Sequence, residues 1–326
     1  MGSTLSQGDY DRSAFEIYED VLSKPCLLPD VGIDESLLNY SGSGSNAVLK
    51  AFSTEMLNTV PGYTRLIASA FGPMTLVPNA VGLGALVISM LIEIAIKSRT
   101  QNVDTYGLLR RVFGEEKASK VRDTMSEYLK RHRVYIDNDQ RLRGEIRRLE
   151  QQLSNHLTAL RNSLLQDGQM SSRGLKMWVN GAAFHVQMLI HEARLDFKAG
   201  KPSSDYDVNA IKAAIDLYLL YLDHLLKEHK TYKINSNMFK YRSIIRISHH
   251  LPICHIQNNE IESCSRDVDS HPCPCAIPKV MTAFMDIVYS NYEPIKGLKS
   301  YFLNIKNNLN SQIHEKGSFP VPSAAG

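Results

Sequence analysis

The feature that most constrains this chain is an uncharged run from Leu66 to Ile92, which stands in a sequence otherwise rich in charged residues. Charge-free stretches of about 18 or more residues are candidates for crossing a bilayer, because a buried charge costs about 2.5 to 3.5 kcal/mol on insertion scales. Gly72-Pro73 and Pro78-Asn79 interrupt the run. They leave Ala80 to Ile96, with Glu93 near its end, as the longest continuous apolar helix that the run predicts.

The overall composition permits a folded protein and argues against one class of partner. The chain has 326 residues, of which 43% are hydrophobic, so it can bury a sizeable core. Its formal net charge is only +3, whereas a dedicated nucleic-acid-binding protein concentrates much more positive charge. The charges are unevenly placed: residues 1–35 are acidic and residues 110–148 are basic. These two regions could dock on each other.

The amino terminus carries no basic segment followed by an apolar one, so the sequence predicts a cytoplasmic protein without a secretory signal. Met1-Gly2-Ser3-Thr4-Leu5-Ser6 satisfies the myristoylation pattern, with Gly2 as the acceptor. An ordinary disordered terminus is the alternative. One myristoyl chain binds membranes only marginally, with a constant of about 10⁴ M⁻¹, so peripheral attachment needs a second contact. The apolar segment 66–96 can supply that contact.

Much of the rest of the chain has helical periodicity. Residues 115–166 would form one helix of about 78 Å, so a break is expected, and Asp137-Asn138-Asp139 fits it because Asp137 can cap a new helix. Beyond this break, a coiled-coil-like seam comprises Leu142, Ile146, Leu149, Leu153, Leu157, Leu160 and Leu164. A second, unbroken heptad comprises Val208, Ile211, Ile215, Tyr218, Leu222, Leu225 and His229. Antiparallel packing of such helices buries a continuous core.

These patterns predict an all-α fold, a bundle of long amphipathic helices with one strongly apolar central helix or hairpin. We expect an acidic flexible segment and linker at 1–46 and a helical bundle at 47–235. An irregular segment at 236–277 would follow, although part of it fits helix or strand. Carboxyl-terminal helices at 278–313 and a disordered tail at 314–326 would complete the chain.

Cysteines and histidines are dense in the irregular segment, which makes it the only cluster with ligand chemistry. A structural zinc ion prefers four thiolate or imidazole ligands, which could be drawn from Cys254, Cys264, His271, Cys273 and Cys275. The spacing of Cys273 and Cys275 lacks the two-residue gap of a zinc knuckle, however. Reduced cysteines in a cytosolic loop are the alternative, and acylation of one of them is a third interpretation. No other cofactor is expected.

Basic and aromatic residues alternate between positions 227 and 246. Basic side chains gain about 1 kcal/mol each near an anionic lipid surface, and aromatic rings prefer the headgroup region. The sequence therefore predicts a basic surface made of Lys230, Lys233, Lys240, Arg242 and Arg246. The same composition suits stacking on single-stranded nucleic acid, or a solvated helix end and loop.

Motifs that would identify a reaction are lacking, so the sequence predicts a non-enzymatic protein. The segment 42–47, GSGSNA, matches a loose dinucleotide fingerprint, but no strand precedes it and it is predicted to be a linker. His191-Glu192 begins like a zinc-protease helix, yet Leu195 stands where the second histidine belongs. Trp178 and His185 share a helix face that is expected to be core.

The order of parts resembles that of α-helical membrane-active proteins such as the apolipoprotein L group and helical pore-forming toxins. The resemblance rests on Val81-Gly82-Leu83-Gly84-Ala85-Leu86 and on the amphipathic helices that follow. In those proteins a bundle of long helices carries a Gly-rich apolar segment. The resemblance implies that the corresponding segment of this chain inserts in a bilayer.

Two functional hypotheses follow from these patterns. The first is a membrane-associating, bilayer-inserting or pore-forming protein in which segment 66–96 is a buried hairpin released on activation. Its lipid contacts would be Leu76, which follows Thr75, and then Val81, Leu83, Leu86, Val87, Leu91 and Ile92. The second is a soluble cytosolic adaptor in which segment 66–96 is a core helix. The seam from Leu142 to Leu164 would then bind a helical partner or a second copy of the chain.

Overall fold

The computed structural model describes residues 6–72, 74–97, 120–168, 170–201, 205–236, 239–246, 249–258, 260–261, 263–268 and 277–322. Most of these residues are helical, which confirms the predicted all-α character at the level of helix content. A short two-stranded ribbon and a three-stranded sheet accompany the helices.

The helices of the described residues vary from one and a half to several turns. They are α1 (Gln7–Leu22), α2 (Glu35–Tyr40), α3 (Ser45–Thr59), α4 (Tyr63–Phe71), α5 (Leu83–Lys97), α6 (Lys120–Val134), α7 (Asp139–Gln166), α8 (Ser172–Lys198), α9 (Asp205–Asn235), α10 (Ile277–Asn291), α11 (Glu293–Asn307) and α12 (Leu309–His314), with a 3₁₀ turn at Pro25–Leu27. The strands are β1 (Leu76–Pro78), β2 (Phe239–Arg246), β3 (His249–Gln257), β4 (Ser265–Val268) and β5 (Ser318–Pro320).

Helix α8 lies at the centre of the packing, where it contacts α5, α6, α7, α9 and α12. Nearly every side chain from Leu175 to Leu195 is buried. A Cβ at Gly181 would lie 2.7 Å from Leu157 Cδ2 and 2.9 Å from Val121 Cγ1, so this glycine lets α7 and α6 approach closely. Trp178 and His185 are buried on this helix, as the sequence predicts.

The helix break predicted near Asp137 is present. Helix α6 ends at Val134 and α7 begins at Asp139. The cap is Asn138 rather than Asp137: its side-chain oxygen accepts a hydrogen bond from the Arg141 backbone N–H at 3.0 Å. The prediction was therefore correct in position and wrong by one residue in the identity of the cap.

The two apolar patterns predicted from helical spacing are buried inside the fold. All members of the α9 heptad are buried, from Val208 at 9% exposure to His229 at 0%. The α7 seam is also buried except for the half-buried Leu160, because α7 packs against α6 and α8. A seam already covered by its own chain cannot bind a second helix, so the expected adaptor interface is not exposed in this conformation.

Residues 1–46 were expected to be flexible, and from residue 6 onward the structure differs. Helix α1 packs against α10, and Ala14, Ile17 and Val21 are completely buried between them. The turn between α2 and α3 occupies the stretch predicted to be a linker. The acidic composition of this region had suggested a flexible segment, whereas the apolar positions of α1 form one buried face.

The segment predicted to be irregular contains an antiparallel sheet in the order β2-β3-β4. Lys240 is paired with His255 in the β2–β3 ladder, and His255 with Asp267 in the β3–β4 ladder. Phe239 is buried, with its ring 5.2 Å from that of Phe284 on α10. The sheet is therefore fixed to the helices by an aromatic contact at its first residue.

A disulfide joins Cys26, which follows α1, to Cys264, which precedes β4. This pairing overturns, for Cys264, the interpretation that the cysteines of the irregular segment are reduced. It also removes Cys264 from the expected zinc ligands, because a disulfide sulfur is not a thiolate. The bond ties the amino-terminal helix to the sheet across a sequence separation of 238 residues.

We predict that replacing Cys26 and Cys264 together with serine lowers the free energy of unfolding by about 2 to 5 kcal/mol, because the bond closes a very long loop of the unfolded chain. Urea denaturation of the wild type and the double variant would measure the loss. Adding reductant to the wild type should reproduce it and should leave the double variant unchanged. Equal stability of all these forms would contradict the prediction.

Helix α5 carries the carboxyl-terminal part of the uncharged run. Its residues from Leu83 to Ile92 are buried without exception. At the end of the helix Glu93 and Lys97 form an ion pair with a spacing of four residues. Among the described residues, none of the helices combines the length and the apolar character that crossing a membrane requires.

Gly84 permits the tight start of α5. A Cβ at this position would lie 1.9 Å from the Asn79 carbonyl oxygen, a distance that real side chains do not reach. The Asn79 carbonyl belongs to the backbone, which is less able than a flexible side chain to move away from an added Cβ. The Gly84 position therefore fixes how the chain turns from β1 into α5.

We predict that Gly84→Ala destabilises the protein by about 1 to 3 kcal/mol or more, since the added methyl forces this turn apart. Gly144→Ala is the matched control, because Gly144 lies on α7 with nothing within 4 Å of an added Cβ. That control should be stabilising by about 0.5 to 1 kcal/mol. Thermal or urea unfolding of both variants would decide, and similar effects would argue against the close approach at Gly84.

Candidate functional site at the clasp of the apolar segment

The carboxyl-terminal strand β5 pairs antiparallel with β1, which lies inside the uncharged run. We call this ribbon, Leu76–Pro78 with Ser318–Pro320, the clasp. Val77 faces Phe319 across it, and both side chains are buried. The tail at 314–326 was expected to be disordered, and its residues up to 322 instead form part of the packed structure.

Prolines occur in both strands of the clasp without interrupting it. The Val321 backbone N–H donates to the Thr75 carbonyl at 3.1 Å. Antiparallel ladders alternate between bonded and non-bonded pairs, so Pro78 and Pro320 fall at non-bonded pairs, where no N–H is needed. The prolines therefore fit the ribbon and prevent further strands from adding there.

The turn between the clasp and α5, residues 79–82, is anchored by side chains from distant helices. The Asn79 side-chain amide donates to Asp139 Oδ1 at 2.9 Å, at the beginning of α7. The Val81 carbonyl accepts a hydrogen bond from Arg194 Nη1 at 2.8 Å, on α8. Asn79 has a positive φ of 59°, a backbone conformation that asparagine tolerates better than most residues.

The remaining two residues of the turn are held by residues from the carboxyl-terminal and amino-terminal parts of the chain. The Ala80 backbone N–H donates to the Gly317 carbonyl at 3.3 Å. The Gly82 backbone N–H donates to Ser45 Oγ at 2.6 Å. With its amide nitrogen directed toward the ribbon, Asn46 donates to the carbonyls of Ser318 and Ala80 at 3.2 and 3.3 Å. Each residue of the turn thus has its own polar anchor.

Beneath this turn lies a buried cluster of Tyr128, His132 and His191. The Tyr128 hydroxyl and His191 Nδ1 are 2.7 Å apart, and the two histidine rings are 5.5 Å apart. Neither nitrogen of His132 has a hydrogen-bond partner among the described residues, although the residue is only 1% exposed. A Cβ at Gly84 would be 3.9 Å from His132 Nε2, which places this ring beside the start of α5.

Burial keeps this cluster uncharged at neutral pH. It lowers the pKa of His132 to about 4, and Asp139 offsets only part of that effect. Burial also lowers the pKa of His191 well below its ordinary value, with further lowering by the neighbouring His132 and Arg194. Protonation of either ring would place an unpaired charge in the core, at high cost.

A second polar network connects the β3–β4 turn to the helices. It includes Lys233, one of the residues of the predicted basic surface. Lys233 is 2% exposed, and its ammonium lies 2.7 Å from Glu260 Oε1. The same carboxylate accepts from the Ser172 backbone N–H at 3.1 Å. Ser172 and Tyr289 in turn contact the two nitrogens of His229, which is buried.

The predicted basic surface is therefore only partly present. Lys233 is buried and paired, and Lys230 forms an ion pair with Asp286. Lys240 is exposed and donates to Gln257 Oε1 at 3.3 Å. Arg242 and Arg246 lie on β2, but their side chains fall outside the described part of the structure. Sequence spacing alone had not indicated that helix α9 turns Lys233 inward.

The predicted lipid contacts are placed almost entirely inside the protein. Leu76 is 51% exposed, whereas the others are buried, namely Val81, Leu83, Leu86, Val87, Leu91 and Ile92. Gly2, the predicted myristoylation site, lies outside the described residues. In this conformation the segment thus offers one exposed leucine to a membrane.

The predicted zinc ligands are not brought together by the described residues. His271, Cys273 and Cys275 lie outside them, as does the side chain of Cys254, and Cys264 is disulfide-bonded. The described side chains contain no group of three or more potential ligands placed to hold a metal ion.

Sequence reasoning missed the residues that anchor the turn, namely Arg194, Asp139, Ser45 and Gly317. Arg194 carried one signal, since a basic residue among the apolar positions of a long helix needs a partner when it is buried. Comparison with protein families, with curated proteins and with solved structures finds no match to this chain. The site must therefore be interpreted from its own geometry.

We predict that His132→Leu weakens the acid sensitivity of the fold. The unfolded-state pKa is about 6.5 and the folded-state pKa is about 4, so between these values the unfolded chain binds more protons. Stability contributed by the neutral ring is thus complete above about pH 6.5 and is lost as the pH falls toward 4. Urea unfolding between pH 7.5 and 4.5 should show a flatter dependence for the variant, with equal or greater stability at pH 7.5. An unchanged slope would refute the assignment.

Proposed function

We propose that this protein is a non-enzymatic, membrane-associating helical protein that stores its apolar segment, residues 66–96, behind the clasp. The observation that carries the proposal is the anchoring of residues 79–82. Each of these residues is held by one hydrogen bond from a distant part of the chain, and Ala80 by a second from Asn46. A turn held by so few polar contacts can open without disrupting the rest of the bundle.

The polarity of these anchors supports release by conditions at a membrane surface. Two anchors use charged groups, Asp139 and Arg194, and an anionic surface acts on charges. Acid also acts on the buried histidines beneath the turn, since protonation of His132 favours opening of the structure around it. Anionic lipid at mildly acidic pH is therefore the condition we expect to favour release.

The length of α5 limits the form that association takes. Its 15 residues extend about 22 Å, which is shorter than the roughly 30 Å hydrocarbon core of a bilayer. Helix α4 has an apolar face of its own, with Tyr63, Ile67 and Phe71 buried. The proposal is therefore a hairpin of α4 and α5 that enters one leaflet, rather than a single spanning helix.

The disulfide bears on the location of this activity. Disulfides persist in oxidising compartments and are rare in the cytosol, so the Cys26–Cys264 bond weighs against the cytoplasmic location predicted from the sequence. Myristoylation of Gly2 is consequently not required by the proposal. The protein would bind the membrane through segment 66–96 alone.

A reversible lock on the clasp tests the proposal. Leu76 and Pro320 are directly opposed at a non-bonded pair, where Cα atoms are about 4.5 Å apart and a disulfide can form. We predict that Leu76→Cys with Pro320→Cys, once oxidised, fails to float with anionic vesicles at about pH 5. Opening this bond with mild reductant should restore flotation, because the clasp can then separate.

Several controls make the outcome interpretable. The single variant Leu76→Cys should float under both redox conditions, and mass spectrometry should show that the Cys26–Cys264 bond survives the mild reduction. Dye release from the same vesicles distinguishes insertion from surface binding. Equal flotation of the oxidised and reduced double variant, or no flotation of the folded wild type on any vesicle, would refute release of the segment.

A further inference from the structure

A cleft of about 450 Å³ opens beside the clasp. One wall is β1 with Asn79, another is the carboxyl-terminal end of α8, and the third is the stretch 313–318. The apolar part of its lining includes Leu76, Phe197 and Ile313. Ligand sites in proteins are concave, mostly apolar, and carry a few placed polar groups, and this cleft has that character.

Positive charge predominates among the ionisable side chains of the cleft. Arg194, Lys198 and Lys316 line it together with the single carboxylate of Glu315. Glu315 accepts a hydrogen bond from the Gly44 backbone N–H at 2.9 Å, and Lys198 lies 2.6 Å from Asp139. Lys316 is exposed and forms no ion pair with any described residue. An anion would find a net positive lining and one uncommitted ammonium group.

Arg194 gives the cleft a fixed cationic group. It is 8% exposed, and its Nη1 donates to the Val81 carbonyl, so the guanidinium is held in one orientation. Because Arg194 lines the cleft, an anion that enters it gains from the charge of the guanidinium.

We infer that the cleft binds an amphiphilic anion, a carboxylate or phosphate monoester head attached to a short apolar chain. The head is held by Arg194 and Lys316, and the chain lies against Leu76 and Phe197. The inference does not depend on membrane association, because it rests on the lining of the cleft alone. A free anion without the chain would satisfy the charges and leave the apolar wall exposed to water.

Binding would stabilise the clasp, since both β1 and the stretch 313–318 contribute to the cleft. A ligand that binds only the closed state stabilises that state increasingly as its concentration rises above its dissociation constant. The occupied cleft would consequently hold β1 against β5. Release of the apolar segment and occupancy of the cleft are thus expected to oppose each other.

Isothermal titration calorimetry of the full chain tests the inference, with octyl phosphate and octanoate as probes below the concentrations at which they form micelles. Inorganic phosphate and octanol are the comparison ligands, since inorganic phosphate lacks the apolar chain and octanol lacks the anionic head. We expect saturable binding of one octyl phosphate or octanoate per chain, at least tenfold tighter than either comparison ligand. Equal affinity for inorganic phosphate or octanol would overturn the inference.

Two pairs of surface variants locate the binding. Lys316→Glu removes a cation of the cleft and Leu76→Asp places a charge on its apolar wall, and each should weaken binding at least tenfold. Lys240→Glu on β2 and Leu220→Asp on α9 are matched controls at exposed positions away from the cleft. Circular dichroism would verify that all four variants fold. Loss of affinity in the control variants, or none in the cleft variants, would place the probe elsewhere and refute the site.

Discussion

The packing of this protein depends on covering the apolar residues from Leu83 to Ile92 on every side. These residues are buried because α2, α3, α4, α6 and α8 surround α5. A stretch of helix whose residues are all buried offers no face to water, so its neighbours must be arranged about it. The clasp and the anchored turn at 79–82 fix the position at which this helix begins.

Several elements of the fold could be predicted from the sequence because their signals are local. The α9 heptad is buried at each position from Val208 to His229, and the break before α7 lies where capping residues cluster. Helical spacing reports which face is apolar. It does not report what covers that face. The α7 seam could therefore be interpreted as a partner site, although α8 of the same chain covers it.

The clasp and its cleft were beyond prediction for a physical reason. Strands of three residues carry no measurable periodicity, and those of the clasp contain Pro78 and Pro320, which lower any strand signal further. Their pairing joins segments more than two hundred residues apart, as does the Cys26–Cys264 bond. Hydrophobicity likewise could not distinguish a protein core from a membrane at Leu86, because an apolar side chain fits both equally well.

Opening the clasp exposes less apolar surface than exposing the whole apolar segment does. It uncovers Val77, Phe319 and Val321, while α5 remains covered by its neighbouring helices. Each fully buried large apolar side chain contributes about 1.5 to 3 kcal/mol, so exposing residues 83–92 to water would cost on the order of 10 to 20 kcal/mol, as much as the roughly 5 to 15 kcal/mol that stabilises a typical domain. Release into water would therefore consume the stability of the fold. The clasp can only determine whether the segment moves at a surface that itself provides an apolar environment.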